Sequence, residues 1–247
     1  MIYGSFAQYY DELFDEQLYL QWQQYVQANT TPGTQLLDLA GGAGRLGVLL
    51  AQKGYQVTDV DLSAEMLVLA SQHAAAAKVD LELVQANMLD LDGLGQFDVV
   101  TCFADSLCYL ADMAEVQQTF TQVHAHLKPY GIFLFDVITP YQTDEKYPGF
   151  MFNYQSPDNQ RFFVWSSFAD DDVPHGVIHE LSFFDRQADG NYRRLAETHF
   201  ERSYPLETLK QALHESGFTQ IEVTSDFGQG QPGPTTTRWF FKCRVGE

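Results

Sequence analysis

The sequence has no long apolar run and no apparent export signal. Its apolar runs have the length of strands, far short of the roughly 20 residues that a membrane span needs. The start, MIYGSFAQYYDELF, lacks the basic segment followed by an apolar one that is typical of a secretory signal. We therefore expect no association with a membrane.

Cysteine is also scarce. Cys102, Cys108 and Cys243 are the three in the sequence, and none belongs to a C-x-x-C pair. This pattern supports neither a disulfide framework nor a zinc cluster. We therefore predict no metal site and a reducing, cytoplasmic location.

Basic residues are few: 14 Lys and Arg stand against 33 Asp and Glu, giving a net charge of -19. Such a chain, with no cluster of basic residues, would be repelled by a phosphate backbone. We therefore expect no nucleic-acid partner. The acidic excess is explained by solubility and does not by itself indicate a cationic ligand.

Enough apolar material is present for a full core, since 45% of the 247 residues are hydrophobic. From residue 35 to residue 137, β-rich runs such as QLLDLA, YQVTDVD and GIFLFDV alternate with amphipathic segments. This alternation predicts an α/β fold with parallel strands, crossover helices and ligands at the carboxyl ends of the strands.

Residues 150 to 204 have a different pattern. RFFVWSSFAD, GVIHELSFFD and YRRLAETHFERSY read as successive antiparallel strands, with turns and no helical segment between them. The helical pattern resumes in PLETLKQALHESGF. The sequence therefore predicts an inserted antiparallel β-sheet.

The segment LLDLAGGAGRLG, residues 36–47, is a strand running into a glycine turn, and it fits two cofactor patterns. Gly42, Gly44 and Gly47 form G-x-G-x-x-G, a weak dinucleotide signal that a tight turn without ligand also explains. The spacing Asp38-x-Ala40-x-Gly42-x-Gly44 resembles the turn of S-adenosylmethionine-dependent methyltransferases.

Two carboxylates bear on the choice of cofactor. Asp61 ends the next predicted strand, where it can accept hydrogen bonds from the ribose hydroxyls of either cofactor. Asp38 lies just before the turn, where a carboxylate repels a pyrophosphate but favours a sulfonium or an ammonium group. Asp38 therefore favours S-adenosylmethionine over NAD.

The stretch from residue 35 to residue 137 resembles the class I S-adenosylmethionine-dependent methyltransferase core. LLDLAGGAG, VTDVDLSAEML, VQANML and LKPYGIFLFDV match its motifs in order and with the right spacing. FAQYYDELF, FADSLCYL and ERSYPLETLKQALHESGF further resemble bacterial members that act on small molecules. The resemblance implies a Rossmann-like, mostly parallel seven-stranded sheet with helices on both faces, and TTTRWFFKCRV as its last, antiparallel strand.

The same resemblance implies a domain division and a cofactor site. Residues 1–30 are predicted to form an N-terminal helical lid, residues 31–149 and 205–247 the cofactor-binding core, and residues 150–204 the inserted β subdomain. The residues implied to hold S-adenosylmethionine are Tyr10, Asp38, Ala40, Gly42, Gly44, Asp61, Leu62, Met66, Asn87, Met88 and Ala104. Two of them depart from the family pattern: Ala40 replaces the usual first glycine, and Asn87 stands where Asp is common.

Methyl transfer from a sulfonium is an in-line displacement, which requires alignment of the acceptor and exclusion of water. We expect a small soluble acceptor with a nitrogen or oxygen nucleophile. A general base would help to remove its proton, and our candidates are Asp105, Asp136 and His179, with His199 as a further possibility.

The inserted sheet has the best claim on the choice of acceptor, because it can cover the strand ends. Phe163, Trp165, His179 and Glu180 are the residues that we expect to line such a cover. Alternatively, its apolar face pairs with a second subunit, which makes a homodimer possible.

Two other functions stay open at the level of the sequence. An NAD-dependent oxidoreductase leaves Asp38, Asn87 and the antiparallel last strand unexplained, and no Tyr-x-x-x-Lys pair is present. A non-catalytic module that binds the cofactor with the same fold is the second alternative.

Overall fold

The structure is a computed structural model that describes residues 16–246. Tyr10 and the first half of the predicted N-terminal lid lie outside the described residues. No helix within residues 16–246 is long and apolar enough to cross a membrane. The described helices and strands are, in chain order, α1 (Glu16–Asn29), β1 (Gln35–Leu39), α2 (Arg45–Ala51), β2 (Gln56–Asp61), α3 (Ala64–Ala77), β3 (Glu82–Gln85), β4 (Phe97–Cys102), α4 (Met113–His126), β5 (Leu127–Ile138), β6 (Met151–Gln155), β7 (Arg161–Ala169), β8 (Gly176–Arg186), β9 (Tyr192–Arg202), α5 (Leu206–Glu215), β10 (Phe218–Thr224) and β11 (Arg238–Val245).

The main sheet has seven strands in the order β10-β11-β5-β4-β1-β2-β3. Strand β11 is antiparallel to both of its neighbours, and the strands from β5 to β3 are parallel to one another. Helices between parallel strands return the chain to the same edge of the sheet, so the carboxyl ends of these strands meet there. The predicted fold class is confirmed, including the antiparallel last strand.

The sheet is buried on both faces. Leu36 faces the side that carries α1 and α2, whereas Leu37 faces the side that carries α4 and α5. In β5 this double burial produces a continuous apolar run, and Phe135 stacks on Phe241 of β11 with ring centroids 4.5 Å apart. A close-packed core on both faces fixes the positions of the strand ends where ligands bind.

The chain between β5 and α5 forms a separate four-stranded antiparallel sheet in the order β6-β7-β8-β9. This inserted sheet has a small core of its own, made by Phe163, Leu181 and Phe183. Sequence reasoning expected β7, β8 and β9 but missed β6. All five residues of β6 are exposed on an edge strand, so no buried face marks it in the sequence.

The turn from β1 to α2 depends on glycine at a specific position. Gly42 and Gly44 have φ angles of +61° and +68°, and Ala40 adopts a φ of +56°, which L-residues rarely do. A Cβ atom on Gly44 would lie 2.7 Å from the Cβ atom of Ala70, whereas a Cβ atom on Gly42 would meet nothing within 4 Å. Gly44 therefore permits the contact between this turn and α3.

We predict that Gly44→Ala destabilises the protein more than Gly42→Ala does. Both changes add the cost of a left-handed alanine, about 1–2 kcal/mol, but only the first also forces a side-chain overlap, which typically costs about 1–3 kcal/mol. Urea unfolding of the two variants measures the difference. Equal losses of unfolding free energy would contradict the packing role of Gly44.

Candidate functional site

A cavity of about 300 Å³, which we call the strand-end cleft, opens at the carboxyl ends of β1 and β2. Its lining residues are Leu39, Ala40, Val60, Asp61, Leu62, Ala86, Asn87, Met88, Ser106, Tyr109 and Leu110. The cleft thus brings together five of the residues predicted to hold the cofactor: Ala40, Asp61, Leu62, Asn87 and Met88.

The other predicted cofactor residues that the structure describes lie around this cleft rather than in its lining. Gly42 lies in the turn above, Gly44 caps α2, and Met66 packs on Ala43 and Leu69. Asp38 is buried beneath the turn, and Ala104 lines a neighbouring cavity.

Asp61 is held by the backbone on both sides. Its Oδ2 accepts a hydrogen bond from the backbone N–H of Gly42 at 2.9 Å, and its Oδ1 accepts one from that of Ser63 at 2.8 Å. Burial raises the pKa of this carboxyl group, and the two N–H groups oppose the rise. Each oxygen has a second lone pair available for a hydroxyl group, so the carboxylate is oriented before any ligand arrives.

Asp38 is 2% exposed, and only one of its two carboxylate oxygens has a hydrogen-bond partner among the described residues. Its Oδ1 accepts a hydrogen bond from Thr101 Oγ1 at 2.7 Å, while Oδ2 has no hydrogen-bond partner within residues 16–246. Burial raises the pKa of Asp38 to about 7; the Thr101 hydroxyl opposes this shift, and the charge of Asp61 adds to it. A buried carboxylate with a free oxygen is suited to a cationic group.

A third carboxyl group, which sequence reasoning missed, lies beside Asp38. Asp59 of β2 pairs in register with Asp38 and is completely buried under the glycine turn. A Cβ atom on Gly41 would lie 2.6 Å from either Asp59 oxygen, and neither oxygen has a hydrogen-bond partner in the described chain. The signal in the sequence was an acidic residue inside an apolar strand.

Burial raises the pKa of Asp59 well above its ordinary value, and the charges of Asp38 and Asp61 add to the shift. The neutral form of Asp59 is therefore favoured, because ionisation here would place a second charge next to Asp38 in a site that water does not reach. The carboxyl group fills the space below the turn.

A second cavity of about 1010 Å³, which we call the sheet-covered cavity, lies between the inserted sheet and the strand ends. Trp22, Ala104 and Tyr109 line it from the core, and Tyr147, Phe163 and Trp165 are among the rings that line it from the insertion and its approach. Tyr109 lines both cavities. The two cavities therefore share a wall at the segment that follows β4.

Asp136, at the end of β5, is the centre of a buried cluster. Its Oδ2 accepts a hydrogen bond from Trp22 Nε1 at 2.8 Å, and its Oδ1 accepts bonds from the Asp105 backbone N–H at 2.9 Å and from Arg238 Nη1 at 3.0 Å. Arg238 Nη1 also lies 2.6 Å from Asp105 Oδ1. Burial raises the pKa of Asp136, and the Arg238 charge opposes the rise.

His179 is buried on β8 with its ring orientation set by two neighbours. Trp165 Nε1 donates a hydrogen bond to Nδ1 at 3.1 Å, and Ser167 Oγ lies 2.7 Å from the same atom. Because an indole N–H can only donate, Nδ1 carries a lone pair and the neutral ring carries its proton on Nε2. Nε2 lies 3.6 Å from Glu201 Oε1, in a pair that sequence reasoning missed.

The expectation that Glu180 lines the cover is wrong. Glu180 is exposed, since successive residues of a strand point to opposite faces and His179 occupies the inner one. Phe163, Trp165 and His179 do line the sheet-covered cavity. On the inner face, Glu201 of β9 supplies the carboxylate.

Comparisons of this chain with known proteins find methyltransferases that match its core and its full length. The methyltransferase domain family matches residues 36–131, from β1 into β5. A methyltransferase-family protein of Geobacillus sp. (strain WCH70) is 42% identical over 99% of this chain and 100% of its own length. The chain belongs to the S-adenosylmethionine-dependent methyltransferases. Its cofactor is S-adenosylmethionine, so the NAD-dependent alternative is not retained.

The likeness of this methyltransferase to its relatives extends through the inserted sheet. The crystal structure of an S-adenosylmethionine-dependent methyltransferase from Clostridium acetobutylicum ATCC 824 superposes with a TM-score of 0.85 at 28% identity, covering 99% of both chains. The glycine/sarcosine N-methyltransferase of Halorhodospira halochloris is 26% identical over 78% of this chain and 69% of its own length. The resemblance inferred from the motifs is confirmed.

The residues of this methyltransferase fit the charge and shape of S-adenosylmethionine. The free Oδ2 of Asp38 can face a positive group, and the open space above Gly42 admits a ligand close to the backbone. An ionised Asp38 would repel a pyrophosphate at the turn.

We predict that affinity for S-adenosylmethionine rises between pH 5.5 and pH 7.5. A cationic ligand binds the ionised form of Asp38, so below the pKa of about 7 binding must release a proton and weakens by up to tenfold per pH unit. Isothermal titration across this range measures the effect. Asp38→Asn should bind more weakly and with a flatter pH profile; an unchanged slope would assign the pH dependence to another group.

We also predict that Asp59→Asn removes a pH dependence of stability. A carboxyl group whose pKa is raised on folding stabilises the folded state at low pH, and this contribution is lost as pH rises from about 4 toward the folded-state value. Each unit of pKa difference corresponds to about 1.4 kcal/mol. Urea unfolding should therefore show that the unfolding free energy of the variant, relative to that of the wild type, is higher at pH 8 than at pH 4. A constant difference would mean that Asp59 is ionised in the folded protein.

Proposed function

We propose that this methyltransferase transfers a methyl group from S-adenosylmethionine to a nitrogen or oxygen of a small molecule bound in the sheet-covered cavity. The observation that carries the proposal is the shared wall at Tyr109, which lines both the strand-end cleft and the larger cavity. A cofactor in the first and an acceptor in the second would meet there. The likeness to a glycine/sarcosine N-methyltransferase also supports a small acceptor.

The proposed cofactor contacts follow from the polarity of the cleft. Asp61 would bind the ribose hydroxyls, Leu62 and Met88 would contact the adenine, and the side chain of Asn87 would face its amino group. Asp38 would balance positive charge beneath the turn. When bound, S-adenosylmethionine supplies an electrophilic methyl group on a sulfonium.

We propose roles other than proton removal for the predicted bases. Both oxygens of Asp136 already accept hydrogen bonds, and the neutral His179 ring carries its proton on Nε2, so each is better suited to positioning its neighbours than to taking a proton. Asp105 lines the cavity but is paired with Arg238. Alignment and exclusion of water would then supply most of the rate enhancement.

We propose a separate role for the core and for the inserted sheet, the two larger parts of the domain division predicted from the sequence. The core would hold the cofactor and the inserted sheet would cover the acceptor, in agreement with the lining of the larger cavity. The N-terminal lid, a cytoplasmic location and a homodimer built through the inserted sheet stay predictions.

The proposal is tested by binding and turnover together. We expect isothermal titration to show binding of S-adenosylmethionine and S-adenosylhomocysteine, and methyl-labelled cofactor to transfer label to a small molecule in a metabolite pool. Asp61→Ala should weaken cofactor binding by at least tenfold, because the ribose loses its charged acceptor, worth roughly 1.5–3 kcal/mol. Asp98→Ala, which removes an acidic residue at the opposite end of the sheet, is the matched control.

Two results would count against this function. Cofactor affinity that is the same in Asp61→Ala as in the wild type would mean that the cleft is not the cofactor site. Tight cofactor binding without label transfer across broad pools would favour a non-catalytic module.

A further inference from the structure

We propose that the acceptor is an amine that binds as a cation, with its ammonium group between the Glu201 carboxylate and the rings of Tyr147, Phe150 and Trp165. This inference rests on the proposed function and names the class of acceptor. We refer to these four residues as the ammonium site.

Glu201 is a buried carboxylate without a cation. Its side chain is 6% exposed, and Oε2 has no hydrogen-bond partner within residues 16–246. Its other oxygen, Oε1, lies 3.6 Å from His179 Nε2, beyond hydrogen-bond distance. Since burial of an uncompensated charge is costly, a positive ligand beside Glu201 would be strongly favoured.

The cations that line the sheet-covered cavity are already paired with other carboxylates. Arg238 contacts Asp105 and Asp136, and Arg161 contacts Asp185. His179 is neutral in the tautomer that Trp165 imposes. Among the described residues that line the cavity, none supplies a positive charge to Glu201.

Three aromatic rings stand together on the approach to Glu201. The ring centroids of Phe150 and Trp165 are 5.2 Å apart, and Tyr147 lies 6.2 Å from Trp165 and 6.4 Å from Phe150. The Tyr147 ring is also 4.7 Å from the His179 ring, which pairs with Glu201. Clustered aromatic rings attract ammonium groups through their π faces, and a nearby carboxylate adds charge to that attraction.

The ammonium site is close to the wall shared by the two cavities. Glu201 and His199 are two residues apart on β9 and therefore share a face. The His199 ring lies 5.8 Å from the Tyr109 ring, and Tyr109 lines both cavities. An amine held by Glu201 would thus lie near the point at which the methyl group is transferred. For the transfer, the ammonium group would give one proton to the Glu201 carboxylate, and the lone pair of the neutral amine would attack the methyl group as its bond to sulfur breaks and S-adenosylhomocysteine leaves. The net charge of -19 also favours the approach of a cation over that of an anion.

The test compares a cation with a neutral molecule of the same shape. Choline and 3,3-dimethylbutan-1-ol differ only in a nitrogen that is replaced by carbon, and neither needs to be methylated to report binding. We expect choline to bind the wild-type protein at least tenfold more tightly, as measured by ligand-observed NMR with and without S-adenosylhomocysteine. Equal affinities of the two probes would overturn the proposal.

The decisive variant is Glu201→Gln, which removes the charge and keeps the shape. It should lower the affinity for choline by at least tenfold and leave that for 3,3-dimethylbutan-1-ol and S-adenosylhomocysteine unchanged. Glu180→Gln is the matched control, because it removes the same charge from the outer face of the same sheet. Retained choline affinity in Glu201→Gln, or an equal loss in Glu180→Gln, would contradict the site.

A second variant keeps the test valid if Glu201→Gln does not fold. Phe150 is 37% exposed, so Phe150→Leu should preserve the fold while lowering choline affinity about threefold to tenfold. Wild-type affinity in this variant would count against the aromatic part of the site.

A turnover measurement separates this inference from the proposed function. Methylation of alcohols but not of amines would refute the ammonium site alone, whereas failure to bind S-adenosylhomocysteine would refute the proposed cofactor site.

Discussion

The architecture of the site depends on one buried carboxylate. Asp136 connects four parts of the chain: α1 through Trp22, the segment after β4 through the backbone of Asp105, β11 through Arg238, and β5 on which it lies. Removing Trp22 would leave Asp136 Oδ2 without its donor, and removing Arg238 would leave the buried carboxylate without its cation; either loss is more costly than the net gain from an ordinary hydrogen bond. The cluster therefore holds the floor of the sheet-covered cavity against the core.

The segment held by this cluster has an unusual backbone. Ala104 and Asp105 have φ angles of +56° and +52°, in the left-handed region that L-residues avoid. Residues in such conformations persist where their surroundings fix them, and here the Asp105 backbone N–H and its side chain are both bonded within the cluster. The result is a sharp turn that carries Tyr109 to the wall between the two cavities.

Acidic groups at this edge of the sheet have different surroundings. Asp61 is fixed by backbone N–H groups, Asp38 has a pKa raised to about 7, and burial raises the pKa of Asp59 well above its ordinary value. Glu201 lies across the second cavity, apart from these three. In our proposals these carboxyl groups have different roles: Asp61 accepts hydrogen bonds from the ribose, Asp38 balances positive charge and Glu201 binds a cation.

Local patterns explain why part of the site could be predicted. Strand alternation, the glycine turn and the acidic residue that ends β2 are short-range features. Together with the family resemblance they predicted Ala40, Asp61, Leu62, Asn87 and Met88, which line one cleft. Met66 shares the local motif but packs toward Ala43, because its direction depends on how α3 rests on the turn. No local pattern identifies such packing.

The sequence by itself determined the parallel core, because periodicity and turn chemistry act within a few residues. The resemblance of its motifs to a known family added the antiparallel last strand and, together with Asp38, the cofactor. Only the tertiary structure decided which polar groups meet across the chain. Glu201 and His179 come from neighbouring strands, and the partners of Asp136 lie 31 to 114 residues away. Burial, which raises the pKa of Asp136, is a property of the assembled layers and not of any one segment.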